Sequence, residues 1–440
     1  MIYDAAIIGA GPAGHECALE IMRLGGKAIL FEKGEVGGVC TNRGCIPTKA
    51  VAASCDVVDA VKAGASFGVE AEFVGIDADV LFKRRDRVAA TLRKGVEKLL
   101  ADAGVEVVRG QASIRDKNTI EVQGKSYEAQ NIVIATGSVP TGAGGLALDG
   151  EYVISGDDAA VSRKVPERVA VIGAGFIGCE YAAVYASLGA DVTLIEAQPA
   201  ILSGEDPEIR QALTELLAKR MRIATGARVT SIDSGKKEVA FDGETIGADL
   251  VLLAVGRKPV YPEGLTGLGI AADARGLEVD GHMRTALPTV YAIGDVTQNL
   301  KLAHTAYAAG RTAAANIMGR DEIVDYSVVP WCVFTQPEVG RVGKTEGEAG
   351  EDVLIGRASY LANGKARCLG QRYGFAKVVV DAKTHKLLGT HILGAHASDL
   401  IGEACLAIKK GMSAEDVIAT IHPHPTLTEI FSAACEDALA

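Results

Sequence analysis

The sequence predicts an α/β protein built on two parallel-sheet units. One strand–turn–helix–strand pattern occurs twice at a constant offset, and each copy is followed by a second apolar strand that runs into a glycine turn. The 440 residues allow roughly two to four domains of ordinary size. A content of 48% hydrophobic and 23% charged residues fits a chain with a large buried core.

The first copy opens at Ile8-Gly9-Ala10-Gly11-Pro12-Ala13-Gly14, passes Leu24-Gly25 and ends at Ile29-Leu30-Phe31-Glu32. The second opens at Ile172-Gly173-Ala174-Gly175-Phe176-Ile177-Gly178, passes Leu188-Gly189 and ends at Thr193-Leu194-Ile195-Glu196. A lone GxGxxG says little. Here each has a strand before it, an Ala-rich helix after it and an acid about 20 residues on, which is the context of a Rossmann-like dinucleotide site. The glycines permit the tight turn, the approach of a pyrophosphate and close helix–strand packing. The helix N-terminus offers donors to phosphate, and the acid offers an acceptor to ribose hydroxyls.

The second repeated element is Asn131–Pro140, which resembles Asp249–Pro259. Both are apolar strands leading to a glycine turn that can lie against a dinucleotide. Their offset is smaller than that of the first element, so the first copy carries surplus residues. The surplus falls where Cys40, Cys45 and the helical stretch after them lie. Thiols four residues apart, just past a nucleotide turn, read as a redox-active disulfide, because reducing compartments leave little use for a structural bond closing so short a loop. Two dinucleotide sites joined by a dithiol imply two-electron traffic between two cofactors. The copy holding the disulfide should bind the flavin it serves, and the second copy a nicotinamide nucleotide. Glu196 suits the free 2′-hydroxyl of NAD and repels the 2′-phosphate of NADP, and no arginine follows it in Ala197-Gln198-Pro199.

A net charge of −11 argues against nucleic acid as a partner. No apolar run approaches the ~18 residues of a membrane span, and the first strand begins too early to leave room for a signal peptide. A cytoplasmic location is expected. The nine cysteines are odd in number and scattered, with no zinc spacing, so no metal is expected and the seven other than Cys40 and Cys45 are expected to be small buried hydrophobes.

Three further segments carry a resemblance. Gly37–Lys49 resembles the cysteine motif of the pyridine nucleotide–disulfide oxidoreductase family, Tyr291-Ala292-Ile293-Gly294-Asp295 its second flavin-binding strand, and His422–Glu429 its C-terminal base motif. The likeness runs end to end and is greatest to the members that oxidise dihydrolipoamide. It implies FAD and NAD as cofactors, a homodimer, and lipoylated protein domains as partners, from a 2-oxoacid dehydrogenase complex or a glycine cleavage carrier. It implies four segments: an FAD-binding domain over 1–142, an NAD-binding domain over 143–268, a central return over 269–325 and an α+β interface domain over 326–440.

Site roles follow by resemblance. Cys40 would exchange with substrate, and Cys45 would pass electrons to FAD. His424 would act as base on the disulfide of the other subunit. Glu429, five residues on, is a carboxylate able to fix its tautomer. Gly9, Gly11, Gly14, Glu32, Lys33, Ala112, Thr136, Gly137, Asp295 and Ala303 would surround FAD, with Lys49 pairing Glu180 near the flavin. Gly173, Gly175, Gly178, Glu196, Val229 and Gly256 would contact NAD. His422 is expected to pack or support its loop. Val39, Thr41 and Arg43 depart from the commonest form of the cysteine motif, and Arg43 puts a positive charge between the cysteines. A lone Cys435 argues against a mercuric reductase, which would carry a C-terminal pair. The alternatives are a related reductase of another dithiol and a flavoprotein with a mainly regulatory role.

Overall fold

The computed structural model describes residues 2–142 and 144–440. The apolar run of Tyr3–Ile8 becomes the centre of a parallel sheet, flanked by Ala28–Glu32 and Lys125–Ile134. Glu106–Arg109 lies outside the second of these strands, and Val290–Ala292 pairs along the third. Ala5, Ala6 and Ile7 are fully buried, as a strand covered on both faces requires. The chain therefore returns to its first sheet after completing the second. Helix Pro12–Arg23 packs on helix Ala303–Ile317 so closely that a Cβ on Gly310 would stand 2.5 Å from the Ala13 carbonyl oxygen.

The second parallel sheet runs Arg222–Thr225, Asp191–Glu196, Arg168–Ile172, Leu250–Leu253, Val153–Ser155 in spatial order. Strands Ser138–Pro140 and Arg257–Pro259, the exits of the second repeated element, pair antiparallel with each other. The two units are thus stitched together at equivalent points of their repeats. The surplus of the first copy forms helices Gly38–Arg43, Cys45–Ala63 and Ala78–Asp102. Val51 and Cys55 of the middle helix share a buried cluster with Val184 of helix Phe176–Ser187 in the second unit and with Leu188, which caps that helix.

Residues from Trp331 on form a five-stranded antiparallel sheet: Trp331–Val333, Glu338–Gly343, Leu387–Gly394, Phe375–Asp381, Val353–Ser359. Helices Ala397–Lys409 and Glu429–Leu439 cover one face. Cβ atoms on Gly340 and Gly356 would collide with Ala397 and Ala434 carbonyls at 2.5 and 1.9 Å, so these glycines set the helix–sheet distance. From the other face Val333, Val339 and Leu393 enter the same core as Ile209 and Leu213 of the second unit.

One expectation fails outright. Cys368 ends a five-residue surface helix and is exposed, whereas Cys17, Cys55, Cys179 and Cys435 are buried and Cys332 and Cys405 half-buried. The expected boundary at 142/143 adjoins Ala143, which lies outside the described residues.

Candidate active site

Both glycine turns sit at the carboxyl ends of their parallel strands, where open α/β sheets bind ligands. In each, the first and third glycines are forced by protein packing. A Cβ on Gly9 would lie 2.3 Å from the Ala135 oxygen and one on Gly14 1.8 Å from the Gly9 oxygen. For Gly173 and Gly178 the corresponding distances are 2.6 and 1.8 Å. The middle glycines differ: a Cβ on Gly11 would have no neighbour nearer than 3.9 Å, and one on Gly175 none within 4 Å. The protein leaves that space open. Helices Pro12–Arg23 and Phe176–Ser187 begin there with no side-chain cap and no acid in the first turn. Unclaimed amides at the positive end of a helix dipole suit a diphosphate.

The acids that close the two second strands are held alike. Glu32 accepts hydrogen bonds from the Ala10 and Gly34 amides, both at 2.7 Å. Glu196 accepts from Ala174 at 2.6 Å and Gln198 at 2.8 Å. Each carboxylate is thereby fixed beside its turn with lone pairs left for a ribose. A dinucleotide fits both sites by this chemistry. Around the first turn, Gly294 packs on Ala13 and Asp295 accepts from the Ser138 hydroxyl at 2.7 Å. Thr136 donates to the Val260 carbonyl, and Gly137 takes a φ of +70° beside it. Ala303 starts an uncapped helix whose end can face an anion. Ala112 and Val229 each open a strand, Ala112 buried and Val229 partly so. Gly256 turns at a φ of +139°, and Lys33 is exposed.

Cys40 lies in helix Gly38–Arg43 and Cys45 is the first residue of helix Cys45–Ala63, with Gly44 between the helices. Both are partly buried. The Cys40 thiol hydrogen-bonds Cys45, and the two are driven apart in acidity. Cys45 is lowered, first by that hydrogen bond and then by the charge of Lys49, while Cys40 is raised by the same hydrogen bond and by burial. When the dithiol ionises, the charge is thus favoured on Cys45, beside Lys49. Lys49, one helical turn on, bonds Glu180 Oε2 at 2.7 Å and lies 4.2 Å above the Phe334 ring. Arg43 is exposed, on the same short helix as Cys40.

His424 stands apart from this cluster. Its side chain is 77% exposed and Nδ1 lies 2.8 Å from Glu429 Oε1. Glu429 Oε2 accepts the Thr426 amide at 2.8 Å, and that amide, then His424, holds the carboxyl below its ordinary range. His422 braces the loop through Glu403 and the Thr420 carbonyl, at 2.8 and 2.9 Å. Ile421, just before it, is 97% exposed.

Several residues had no sequence signal. Arg257 bonds the Ser138 hydroxyl at 2.8 Å and pairs with Asp157, so a polar chain runs from Asp295 to the second unit. Tyr181 meets Thr48 at 3.0 Å. His15, buried in the first turn of its helix, stacks edge-on to Tyr307 at 5.7 Å, and burial lowers its pKa. These contacts are non-local, and no spacing in the chain announces them. Among the described residues, no three His, Cys, Asp or Glu side chains are grouped to hold a metal, and no helix is long and apolar enough to cross a membrane.

Comparison with known proteins adds three findings. Residues 3–310 match the family model described as pyridine nucleotide-disulphide oxidoreductase, and residues 329–435 match the dimerisation domain of the same family. The chain is 38% identical to dihydrolipoyl dehydrogenase of Chlorobaculum tepidum, covering 99% of this chain and 97% of that protein. It is 40% identical to the dihydrolipoyl dehydrogenase of Thermus scotoductus, with the same coverage of each. Among solved structures it is similar to the HOCl-induced flavoprotein disulfide reductase RclA from Escherichia coli, with a TM-score of 0.88, 27% identity and 99% of each chain covered.

Proposed function

The chain belongs to the pyridine nucleotide-disulphide oxidoreductase family, and from that premise we propose that it reoxidises protein-bound dihydrolipoamide and delivers the electrons to NAD. The observation that carries the reading is the thiol pair Cys40 and Cys45, set beside Lys49, in a chain with two diphosphate-ready turns, the first of which packs on the cysteine helix through Gly11 and Gly38. Full-length identity of 34–40% to proteins named dihydrolipoyl dehydrogenase supports the choice of dithiol.

FAD would be held by the turn of Gly9, Gly11 and Gly14, by Glu32 and by Asp295, with Lys33, Ala112, Thr136, Gly137 and Ala303 bordering it. NAD would be held by Gly173, Gly175, Gly178 and Glu196, with Val229 and Gly256 alongside. Bound FAD supplies a two-electron carrier between the Cys45 sulfur and the nicotinamide. The segments 1–142, 143–268, 269–325 and 326–440 would serve as FAD domain, NAD domain, central return and interface domain. The dimerisation-domain match supports a homodimer, with exposed Ile421 and the His424 loop turned toward the second copy. A cytoplasmic setting, where free thiols persist, belongs to the same reading.

In the forward reaction one substrate thiol gives its proton to Nε2 of His424 from the partner subunit. Nδ1 is engaged by Glu429, which fixes the tautomer and stabilises the imidazolium. The thiolate attacks Cys40 Sγ of the oxidised pair, and the Cys40–Cys45 bond breaks. Cys45 departs as a thiolate, the state favoured by Lys49 and by its place at a helix start. The second substrate sulfur then attacks the first, closing lipoamide; its own proton passes to the departing Cys40 sulfur, and the first proton stays on His424 as the imidazolium that Glu429 stabilises. Two electrons have passed from substrate to the cysteine pair.

The holoenzyme should reduce NAD when supplied with dihydrolipoamide. Capture of lipoylated domains from one complex or another would identify the partner, and failure to turn over any lipoyl substrate would redirect the reading to another dithiol. Exposed Arg43 beside Cys40 favours an acidic partner surface in either case.

A further inference from the structure

Strand register in the C-terminal sheet lines up five residues in one row. Trp331 is opposite Arg341, Arg341 opposite His391, His391 opposite Lys377 and Lys377 opposite Arg357. Residues directly opposite in an antiparallel sheet share a face. This is the face from which Val333, Val339 and Leu393 enter the core of the second nucleotide unit, so the row is pressed against that unit. His391 and Lys377 are buried, with 0% and 1% exposure.

The second unit answers with Glu205-Asp206-Pro207-Glu208. Lys377 Nζ reaches Asp206 at 3.1 Å and Glu208 at 2.6 Å, with Glu346 of its own domain at 2.8 Å. Arg357 takes Glu208 at 2.6 Å. Arg341 Nε lies 2.8 Å from Glu205 Oε1, an ion pair between two largely buried side chains. A buried charge row carries no automatic stability, so its position invites another explanation.

Its Trp331 end lies at the nucleotide turn by two routes. Arg341 stacks over Trp331 at 5.2 Å, and Trp331 meets Phe176 edge-on at 6.3 Å. Phe176 is the first residue of the helix whose bare N-terminus faces the diphosphate space. By the second route the Glu205 amide bonds the Leu202 carbonyl at 2.8 Å, and the Leu202 amide bonds the Ala174 carbonyl at 2.9 Å. Ala174 and Phe176 flank Gly175, the open middle glycine. We propose that Arg341, paired with Glu205, is a positioning residue for the pyridine nucleotide, setting the turn around Gly175 from the opposite domain through Trp331–Phe176 and Leu202–Ala174. The inference rests on the second unit binding NAD. It implies that nucleotide affinity depends on how the interface sheet is seated.

Trp331 is the single tryptophan, so its fluorescence reports the contact directly. In NADH titrations of the FAD-loaded protein, Arg341→Gln and Glu205→Gln should each raise the NADH dissociation constant about fivefold, the size of a ~1 kcal/mol coupling. KM for NADH should rise in step, with kcat and FAD content unchanged. Arg357→Gln, at the far end of the row, should lower thermal stability and leave NADH affinity at the wild-type value. Unchanged NADH affinity in a folded Glu205→Gln or Arg341→Gln variant overturns the proposal, and so does an equal loss in Arg357→Gln, which would mark a general loosening. Wild-type protein that binds no NADH would refute the NAD reading itself, a separate outcome.

Discussion

Lys49 on the cysteine helix bonds Glu180 on helix Phe176–Ser187 of the second nucleotide unit, Nζ to Oε2 at 2.7 Å. The other oxygen of Glu180 accepts the amide of Phe334, just past strand Trp331–Val333 of the C-terminal sheet, at 3.1 Å. One carboxylate, 7% exposed, therefore ties all three parts of the molecule beside the cysteine pair. Glu180→Gln keeps the shape but removes the charge that anchors Lys49. Denaturant unfolding should show a loss of about 1.5–3 kcal/mol, the range for a hydrogen bond to a charged group. Dithiol turnover should fall as Lys49 loses its place by Cys45. Unaltered stability together with unaltered turnover would remove Glu180 from the account.

The two kinds of glycine separate folding from binding. Gly14→Ala drives a Cβ into the Gly9 carbonyl at 1.8 Å and should destabilise the protein with or without FAD. Gly11 has a φ of −68° that alanine adopts freely, and space around it. Gly11→Ala should leave apoprotein melting near wild type while FAD affinity drops by about tenfold or more, since the methyl enters the diphosphate space. FAD titration of the apoprotein checks this. Equal effects on melting would contradict the division.

The Cys45 thiol is lowered by the Cys40 hydrogen bond first and the Lys49 charge next. A depressed acid favours the folded reduced state above the ordinary thiol range, and that contribution fades as pH falls through the folded value. Iodoacetamide labelling of the reduced enzyme should therefore reveal a Cys45 thiolate persisting below the ~8.5 of a free thiol. Lys49→Met should move the midpoint upward. A midpoint unmoved by the loss of Lys49 would leave the charge without a role at Cys45.

Glu429 accepts the Thr426 amide and holds His424 Nδ1, and both contacts depress its pKa. The dyad should thus stay ionised on the carboxylate as pH falls, until the depressed value is crossed. Glu429→Ala should cut lipoamide turnover by about 10²-fold or more, the scale of general-base catalysis. NADH oxidation by an artificial electron acceptor that bypasses the cysteines should continue. If both activities fall together, Glu429 supports the fold and not the base.

Much of this site could be read along the chain, because its chemistry is local. The GxGxxG turns and the acids Glu32 and Glu196 each follow from spacing within one strand–helix unit, while the helix beginning at Ala303 follows from the family resemblance. The ribbon joining Ser138–Pro140 to Arg257–Pro259 does not. Nor does the row from Trp331 to Arg357. Alternation within a strand says which residues share a face, yet the register between strands comes from the packed sheet. Lys377 illustrates the limit: in Phe375–Asp381 it reads as an outward-facing polar residue, but three carboxylates from distant segments bury it. Cys368 is the opposite case: residue type alone favours burial, no local pattern supports it, and the side chain is exposed.

The most direct test supplies FAD-loaded enzyme with dihydrolipoamide and NAD and follows NADH formation, in wild type and in Cys45→Ser. Wild type should form NADH, while Cys45→Ser should retain FAD and form none, because the exchange at Cys40 then has no sulfur to release. NADH formation by Cys45→Ser at the wild-type rate would contradict the dithiol mechanism.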